Sequence, residues 1–170
     1  LITTLQDMGG QIEIANERTE GGETVADLRV RHSQLHGIDV PPARAASMID
    51  EYPILAIAAT QAAGDTRMRG VAELRVKETD RIGVVAEGIL AAGGTVTYDE
   101  DSMTVTCGQI AGGISIDSQH DHRIAMSFLT LGMVSTAPIT VTGCGTIATS
   151  FPGFATGMNA CGAALTDGGA

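Results

Sequence analysis

Two stretches decide how this chain folds: Asp50-Glu-Tyr-Pro-Ile-Leu-Ala-Ile-Ala-Ala-Thr-Gln-Ala-Ala63 and Asp121-His-Arg-Ile-Ala-Met-Ser-Phe-Leu-Thr-Leu-Gly-Met-Val134. Each opens on Asp, a preferred helix N-cap. Each continues, over 52–63 and 123–134, as a run that is apolar nearly all round, which predicts helices enclosed by sheet and by other helices. The two Asp lie about 71 positions apart, and their surroundings correspond. An extended Gly-Ile segment precedes each (Gly37-Ile38-Asp39 and Gly113-Ile114-Ser115). A short β-like run follows each (66–69 and 139–142), leading to a further helix over 80–92 or 152–160.

A second phrase recurs three times. Helical patterns over 1–8, 84–92 and 154–160 stop at Gly9-Gly10, Gly93-Gly94 and Cys161-Gly162, which is a left-handed C-cap signal. Candidate strands follow at 11–15, 95–98 and 163–166. The chain therefore reads as an α/β (α+β) protein made of about two copies of one supersecondary unit, 1–92 and 93–170, each burying its apolar face against the other. It opens inside a helix with neither a cap residue nor a Met, so a fragment is expected, with uncovered apolar surface near Leu1 and Leu5.

Composition removes several function classes. The 170 residues carry 20 Asp+Glu against 10 Lys+Arg, a formal charge of −10. Such a chain has no basic face for nucleic acid or for an anionic membrane surface. There is no Trp, and only three Phe and two Tyr, so stacking platforms for single strands are missing too. No apolar run reaches the roughly 20 residues that a membrane-spanning helix needs. Cys107, Cys144 and Cys161 are odd in number and never form a CxxC pair, which suggests neither a disulfide framework nor a zinc site and suits a reducing cytoplasm. His120 and His122 lack a third His or Cys at ligand spacing, so no metal is expected.

The few cations are concentrated. Lys77 is the only lysine, and Arg75-Val-Lys-Glu-Thr-Asp-Arg81 holds three of the ten cations. Arg81 and Arg123 stand in the first turns of their helices, where the helix dipole disfavours a positive charge. Something negative should offset them. It could be Asp80, Asp121 or another acid of the chain, or it could be a bound carboxylate or phosphate gripped by two guanidinium forks beside Lys77. Asp50, Asp80 and Asp121 have a plainer reading as N-caps.

Taken in order, Ser47-Met-Ile-Asp-Glu-Tyr-Pro53, Leu74-Arg-Val-Lys-Glu-Thr-Asp-Arg81, Asp121-His-Arg-Ile-Ala-Met126 and Ala148-Thr-Ser-Phe-Pro152 resemble the signatures of the 5-enolpyruvylshikimate-3-phosphate synthase family, the 3-phosphoshikimate 1-carboxyvinyltransferases. The likeness runs over essentially the whole chain and corresponds to the family's carboxyl-terminal portion. The wording around Tyr52-Pro53 and Ser150-Phe-Pro152 is closer to the glyphosate-tolerant bacterial class. The resemblance implies repeated βαβαββ units in an inverse α/β barrel domain, with the substrates in a cleft between two such domains. The amino-terminal domain would be absent from this chain.

The reaction so implied moves the enolpyruvyl group of phosphoenolpyruvate onto the 5-hydroxyl of shikimate 3-phosphate and releases phosphate, a cytoplasmic step toward the aromatic amino acids. It uses no cofactor, and glyphosate is the expected inhibitor. It needs a base for the hydroxyl proton, an acid for the enol carbon, and cations for a carboxylate and two phosphates. By motif match Asp50 is the proton acceptor and a shikimate contact, and Glu78 the proton donor. Lys77 meets shikimate phosphate or reacting oxygens, Arg81 and Arg123 hold phosphoenolpyruvate, and His122 lines the site. Thr149 stands where the enteric class has a phosphoenolpyruvate-binding lysine, so that contact is not carried over. The rival readings are the sister transferase acting on UDP-N-acetylglucosamine and a catalytically silent domain that keeps the fold.

Overall fold

The computed structural model describes residues 1–168. It begins with helix α1 (Ile2–Asp7) and a long hairpin, β1 (Gln11–Glu20) and β2 (Glu23–Arg31). Then come β3 (Asp39–Val40), α2 (Ala45–Met48), α3 (Tyr52–Ala59), β4 (Asp65–Arg69), α4 (Arg81–Ala91), β5 (Thr95–Tyr98) and β6 (Ser102–Thr106). The chain continues through β7 (Ser115–Asp117), α5 (His122–Leu131), β8 (Thr140–Thr142), α6 (Ile147–Ser150) and α7 (Phe154–Ala160).

The three repeated helix ends close alike. Gly9, Gly93 and Gly162 take φ of +93°, +89° and +98°. Their N–H groups donate to the carbonyls of Gln6, Leu90 and Asn159, and the next N–H in each case reaches back to Leu5, Ile89 or Met158. This double closure is the Schellman pattern, and only glycine adopts its left-handed residue without strain.

Strands β3, β4, β6 and β5 form one sheet in that order, with β3–β4 parallel and β4–β6 and β6–β5 antiparallel. With α3 joining β3 to β4 and α4 joining β4 to β5, residues 39–106 make a complete βαβαββ unit. The strand after Gly94 thus belongs to the elements before it, and the first copy ends at Thr106 rather than at residue 92. The second copy repeats the opening of the unit: β7 and β8 pair in parallel with α5 between them. Residues 163–166 form no strand. Strands β1 and β5 each find a ladder partner in the strand that follows, whereas 163–168 have none among the described residues, and Asn159 instead bonds the Leu165 backbone through both its amide atoms at 2.9 and 2.8 Å.

Helix α3 lies at the centre, with Tyr52, Leu55, Ala56 and Ala59 fully buried and α4, α5, β4 and β6 around it. It ends at Ala59, short of the expected residue 63, because Thr60, Gln61 and Ala62 donate to carbonyls three residues back and the Thr60 hydroxyl takes the Ile57 carbonyl at 2.8 Å. Helix α5 buries Ile124, Ala125, Ser127, Phe128 and Leu131, and its remaining face is only half covered.

The open apolar surface falls elsewhere than expected. Leu1 and Leu5 are half-buried against the core, while Ile14, Leu28 and Val30 on the hairpin are 45%, 50% and 66% exposed.

Gly88 sets the spacing of α4 and α5, since a Cβ there would stand 2.2 Å from Phe128 Cζ. The Phe128 ring is itself fully buried in the core. Gly88→Ala is therefore expected to destabilise by about 1–3 kcal/mol despite the better helix propensity of Ala. A melting temperature equal to or above that of the parent would contradict that packing.

Candidate active site

The residues singled out by charge and position converge where α3, α4 and α5 begin. Asp80 caps α4 by accepting from the Gly83 N–H at 3.1 Å, and Asp121 caps α5 by accepting from the Arg123 and Ile124 N–H groups at 2.8 and 3.3 Å. Asp50 is not a cap. It sits inside a 3-10 turn, Ile49–Glu51, and its side chain caps no helix. That leaves its carboxylate turned toward the other two helix starts.

Arg81 ties the three starts together. Its side chain is only 1% exposed, and every nitrogen of its guanidinium meets a carboxylate. Nε donates to Asp121 Oδ2 at 2.7 Å, Nη2 to Asp121 Oδ1 at 3.3 Å and to Glu78, and Nη1 to Asp50 Oδ1 at 2.9 Å. The offset for a cation in the first turn of α4 is therefore not its neighbour Asp80. Asp80 pairs with Arg75 instead, whose guanidinium also holds the carbonyls of Asp99 and Glu100 and so pins the 99–101 turn to the start of α4.

Arg123 reaches back from α5 to the turn before α3. Nη1 donates at 2.9 Å both to the Asp50 carbonyl and to Glu51 Oε1, and Nη2 lies 3.8 Å from Asp50 Oδ2. Lys77 is paired with Glu73, one helical turn earlier, and stands 3.7 Å from Asp50 Oδ1. Three cations therefore surround one carboxylate. His122 opens α5 beside Arg123, and its ring makes no hydrogen bond among the described residues. Thr149 is exposed and donates to the Thr146 carbonyl at 2.7 Å.

Ionisation follows from this arrangement. Desolvation pushes Asp50 up, but Arg123, Lys77 and the Arg81 hydrogen bond together hold it below the usual carboxylate value. Burial likewise works against Asp121, and its bonds from Arg81 and from two backbone N–H groups outweigh it, so it too lies low. Burial opposes the charge on Arg81, and the Asp121 partnership more than restores it. The hydrogen bond to Glu73 raises Lys77. Asp50 and Asp121 are thus held ionised within a network of opposite charges.

Sequence reasoning left Asp121 as one of several possible partners of Arg81 and could not choose it over Asp80, because the pairing spans 40 positions. It also missed Glu51 and Glu73, each of which holds a cation of the cluster. Only the spacing of Glu73 and Lys77, four apart, was a readable signal. Among the described residues no group of His, Cys, Asp or Glu is arranged to hold a metal ion, and no helix is long and apolar enough to cross a membrane. A groove of about 430 Å³ runs between the end of α5 and residues 162–165 and includes none of the charged cluster.

Fold and site together define a repeat-built α/β protein with a cluster of paired charges at converging helix starts. The model of the EPSP synthase (3-phosphoshikimate 1-carboxyvinyltransferase) family matches residues 1–158. A 3-phosphoshikimate 1-carboxyvinyltransferase of Parvibaculum lavamentivorans is 57% identical over 97% of this chain and 37% of its own length. One of Methylorubrum extorquens is 57% identical over 100% of this chain and 38% of its own. An EPSP synthase structure from Acinetobacter baumannii superposes with a TM-score of 0.91 at 44% identity, covering 97% of this chain and 38% of that one. The chain belongs to the EPSP synthase family. It spans about 38% of the length of the curated relatives it matches.

Proposed function

We propose that this chain is the carboxyl-terminal part of a cytoplasmic 3-phosphoshikimate 1-carboxyvinyltransferase and carries most of its catalytic charges. The reaction joins the shikimate 5-hydroxyl oxygen to C2 of phosphoenolpyruvate while C3 gains a proton; phosphate then leaves C2 as C3 gives a proton back, which re-forms the C2–C3 double bond of the transferred enolpyruvyl group. The observation that carries the reading is the ring of Arg81, Lys77 and Arg123 around Asp50, with Glu78 on the same guanidinium.

Asp50 takes the hydroxyl proton in this scheme, and Glu78 gives one to the enol carbon. Arg81 and Arg123 hold the carboxylate and phosphate of phosphoenolpyruvate, Lys77 meets a phosphate or reacting oxygen of the shikimate, and His122 lines the site. Asp50 is a weak base while three cations face it. Anionic substrates compete for those cations, so their arrival raises the basicity of Asp50 at the moment it is needed. They also displace Glu78 from Arg81, and the freed carboxylate takes a proton from solvent before it gives one to the enol carbon. The net charge of −10 does not prevent this, because salt screens long-range repulsion beyond roughly 8 Å.

The remaining shikimate ligands belong to the rest of the polypeptide, so the 170-residue chain alone is expected to turn nothing over. Glyphosate, an anion with a carboxylate and a phosphonate, competes for the same cations. Thr149 offers it no charge.

Arg81→Lys tests the anion role. A point charge replaces a planar fork, so KM for phosphoenolpyruvate should rise by about an order of magnitude in the full-length enzyme. Unchanged phosphoenolpyruvate dependence would remove Arg81 from the anion site.

A further inference from the structure

Arg123 is useful to an anion only if the guanidinium keeps an edge free, and it stands next to a carboxylate that could take that edge. Nη2 is 3.8 Å from Asp50 Oδ2, close enough for attraction and too far for a hydrogen bond. A small swing would close a two-bonded pair with Asp50, the strongest arrangement these groups can make. Such a pair would occupy the Nε–Nη2 edge and hold Asp50 as a still poorer base.

What opposes the swing is on the opposite corner of the guanidinium. Nη1 donates at 2.9 Å to Glu51 Oε1 and at 2.9 Å to the Asp50 carbonyl, while Nε and Nη2 make no hydrogen bond among the described residues. Glu51 is well placed to hold that corner. It ends the 3-10 turn Ile49–Glu51, and the next residues, Tyr52 and Pro53, are buried at the start of α3, so its backbone is fixed. Its side chain and that of Arg123 are 37% and 31% exposed, respectively, so the bond lies at the rim of the cluster.

We propose that Glu51 is a positioning residue: by clamping Nη1 of Arg123 it keeps the guanidinium from collapsing onto Asp50 and leaves the Nε–Nη2 edge open to a substrate anion. The inference rests on the reading of Arg123 as a phosphoenolpyruvate ligand. Glu51 itself touches no reacting atom in this scheme. Its negative charge should, if anything, repel the substrate, so the orienting effect and the charge effect have opposite signs and can be told apart. Gln keeps an acceptor oxygen at the same reach and drops the charge. Asp keeps the charge and is one methylene too short to reach Nη1.

The test is steady-state kinetics of full-length enzyme carrying Glu51→Gln, Glu51→Asp and Glu51→Ala, with each substrate varied in turn. Glu51→Gln should leave KM for phosphoenolpyruvate within about threefold of the parent, whereas Glu51→Asp and Glu51→Ala should raise it about tenfold. The KM for shikimate 3-phosphate should change by less than about twofold in all three, a split that mere loss of structure would not produce. If Glu51→Ala does not fold, the contrast between Gln and Asp decides alone. Equal behaviour of Gln and Asp, or a rise in both KM values together, overturns the proposal. Arg123→Lys is run beside them. If it raises KM for phosphoenolpyruvate and Glu51→Asp does not, the clamp is wrong and the site reading stands; if Arg123→Lys itself changes nothing, the site reading fails and takes the clamp with it.

Discussion

Asp50→Asn in the full-length enzyme is expected to lower kcat by about 10²- to 10⁴-fold, the usual worth of a positioned base. The substitution is close to isosteric. Its amide oxygen can still accept from Arg81 Nη1, which stands 2.9 Å from Oδ1 in the parent, and the side chain is 43% exposed, so no buried charge is stranded. The melting temperature should therefore change little while turnover collapses. What is lost is the capacity to take a proton, along with the negative charge that gathers Arg123 and Lys77. A loss of kcat below about threefold would remove Asp50 from the base role.

The second large effect is on stability. Asp121→Ala should cost about 3–5 kcal/mol, because the buried Arg81 guanidinium loses the carboxylate that takes Nε and shares Nη2. The start of α5 loses its cap as well. For a domain of this size that is a fall in Tm on the order of 10 °C. The double variant Asp121→Ala with Arg81→Met should be milder than Asp121→Ala alone, since the stranded charge goes with its partner. A double variant no better than the single one would show that the pair is not what holds these helices together.

The pH dependence has a definite sign. Asp121 titrates in the fold below its ordinary value of 3.8, held there by Arg81 and two backbone N–H groups against the pull of burial. A carboxylate lowered in the folded state contributes stability that is whole above its unfolded pKa and is lost as pH falls through the folded one. Stability from this pair should accordingly stay level at neutral pH and drop only below about pH 3.8.

Local chemistry made much of this legible in advance. The Gly-Gly phrases were readable because a Schellman closure needs a left-handed residue at one fixed place, and of the three Asp expected to cap, Asp80 and Asp121 were readable because a cap acts within three residues of itself. The enclosure of α3 followed from its apolar run, whereas α5 keeps one face only half covered. What escaped was non-local. The pairing of Arg81 with Asp121 joins two copies of the repeat, and nothing within either helix start distinguishes it from a pairing with Asp80. The 3-10 turn Ile49–Glu51 sets Asp50 one residue ahead of the position that caps α3, which is Glu51. Residues 163–166 have the pattern of a strand, yet a strand is a property of two segments and its partner is not among the described residues. The extent of the β1–β2 hairpin escaped for a related reason: the outer half of β1, residues 16–20, is polar on both faces, so the alternation that marks a half-buried strand stops near Ala15 while the ladder runs on to Glu20.

The most direct test of the central claim, that the charges around Asp50 serve enolpyruvyl transfer, is the rate of phosphate release from phosphoenolpyruvate by a full-length polypeptide carrying this chain, with and without shikimate 3-phosphate. Release that requires shikimate 3-phosphate, is not supported by UDP-N-acetylglucosamine, and falls by at least about a hundredfold in Asp50→Asn is the predicted result. Release that proceeds without shikimate 3-phosphate, that UDP-N-acetylglucosamine supports equally, or that survives Asp50→Asn would contradict it.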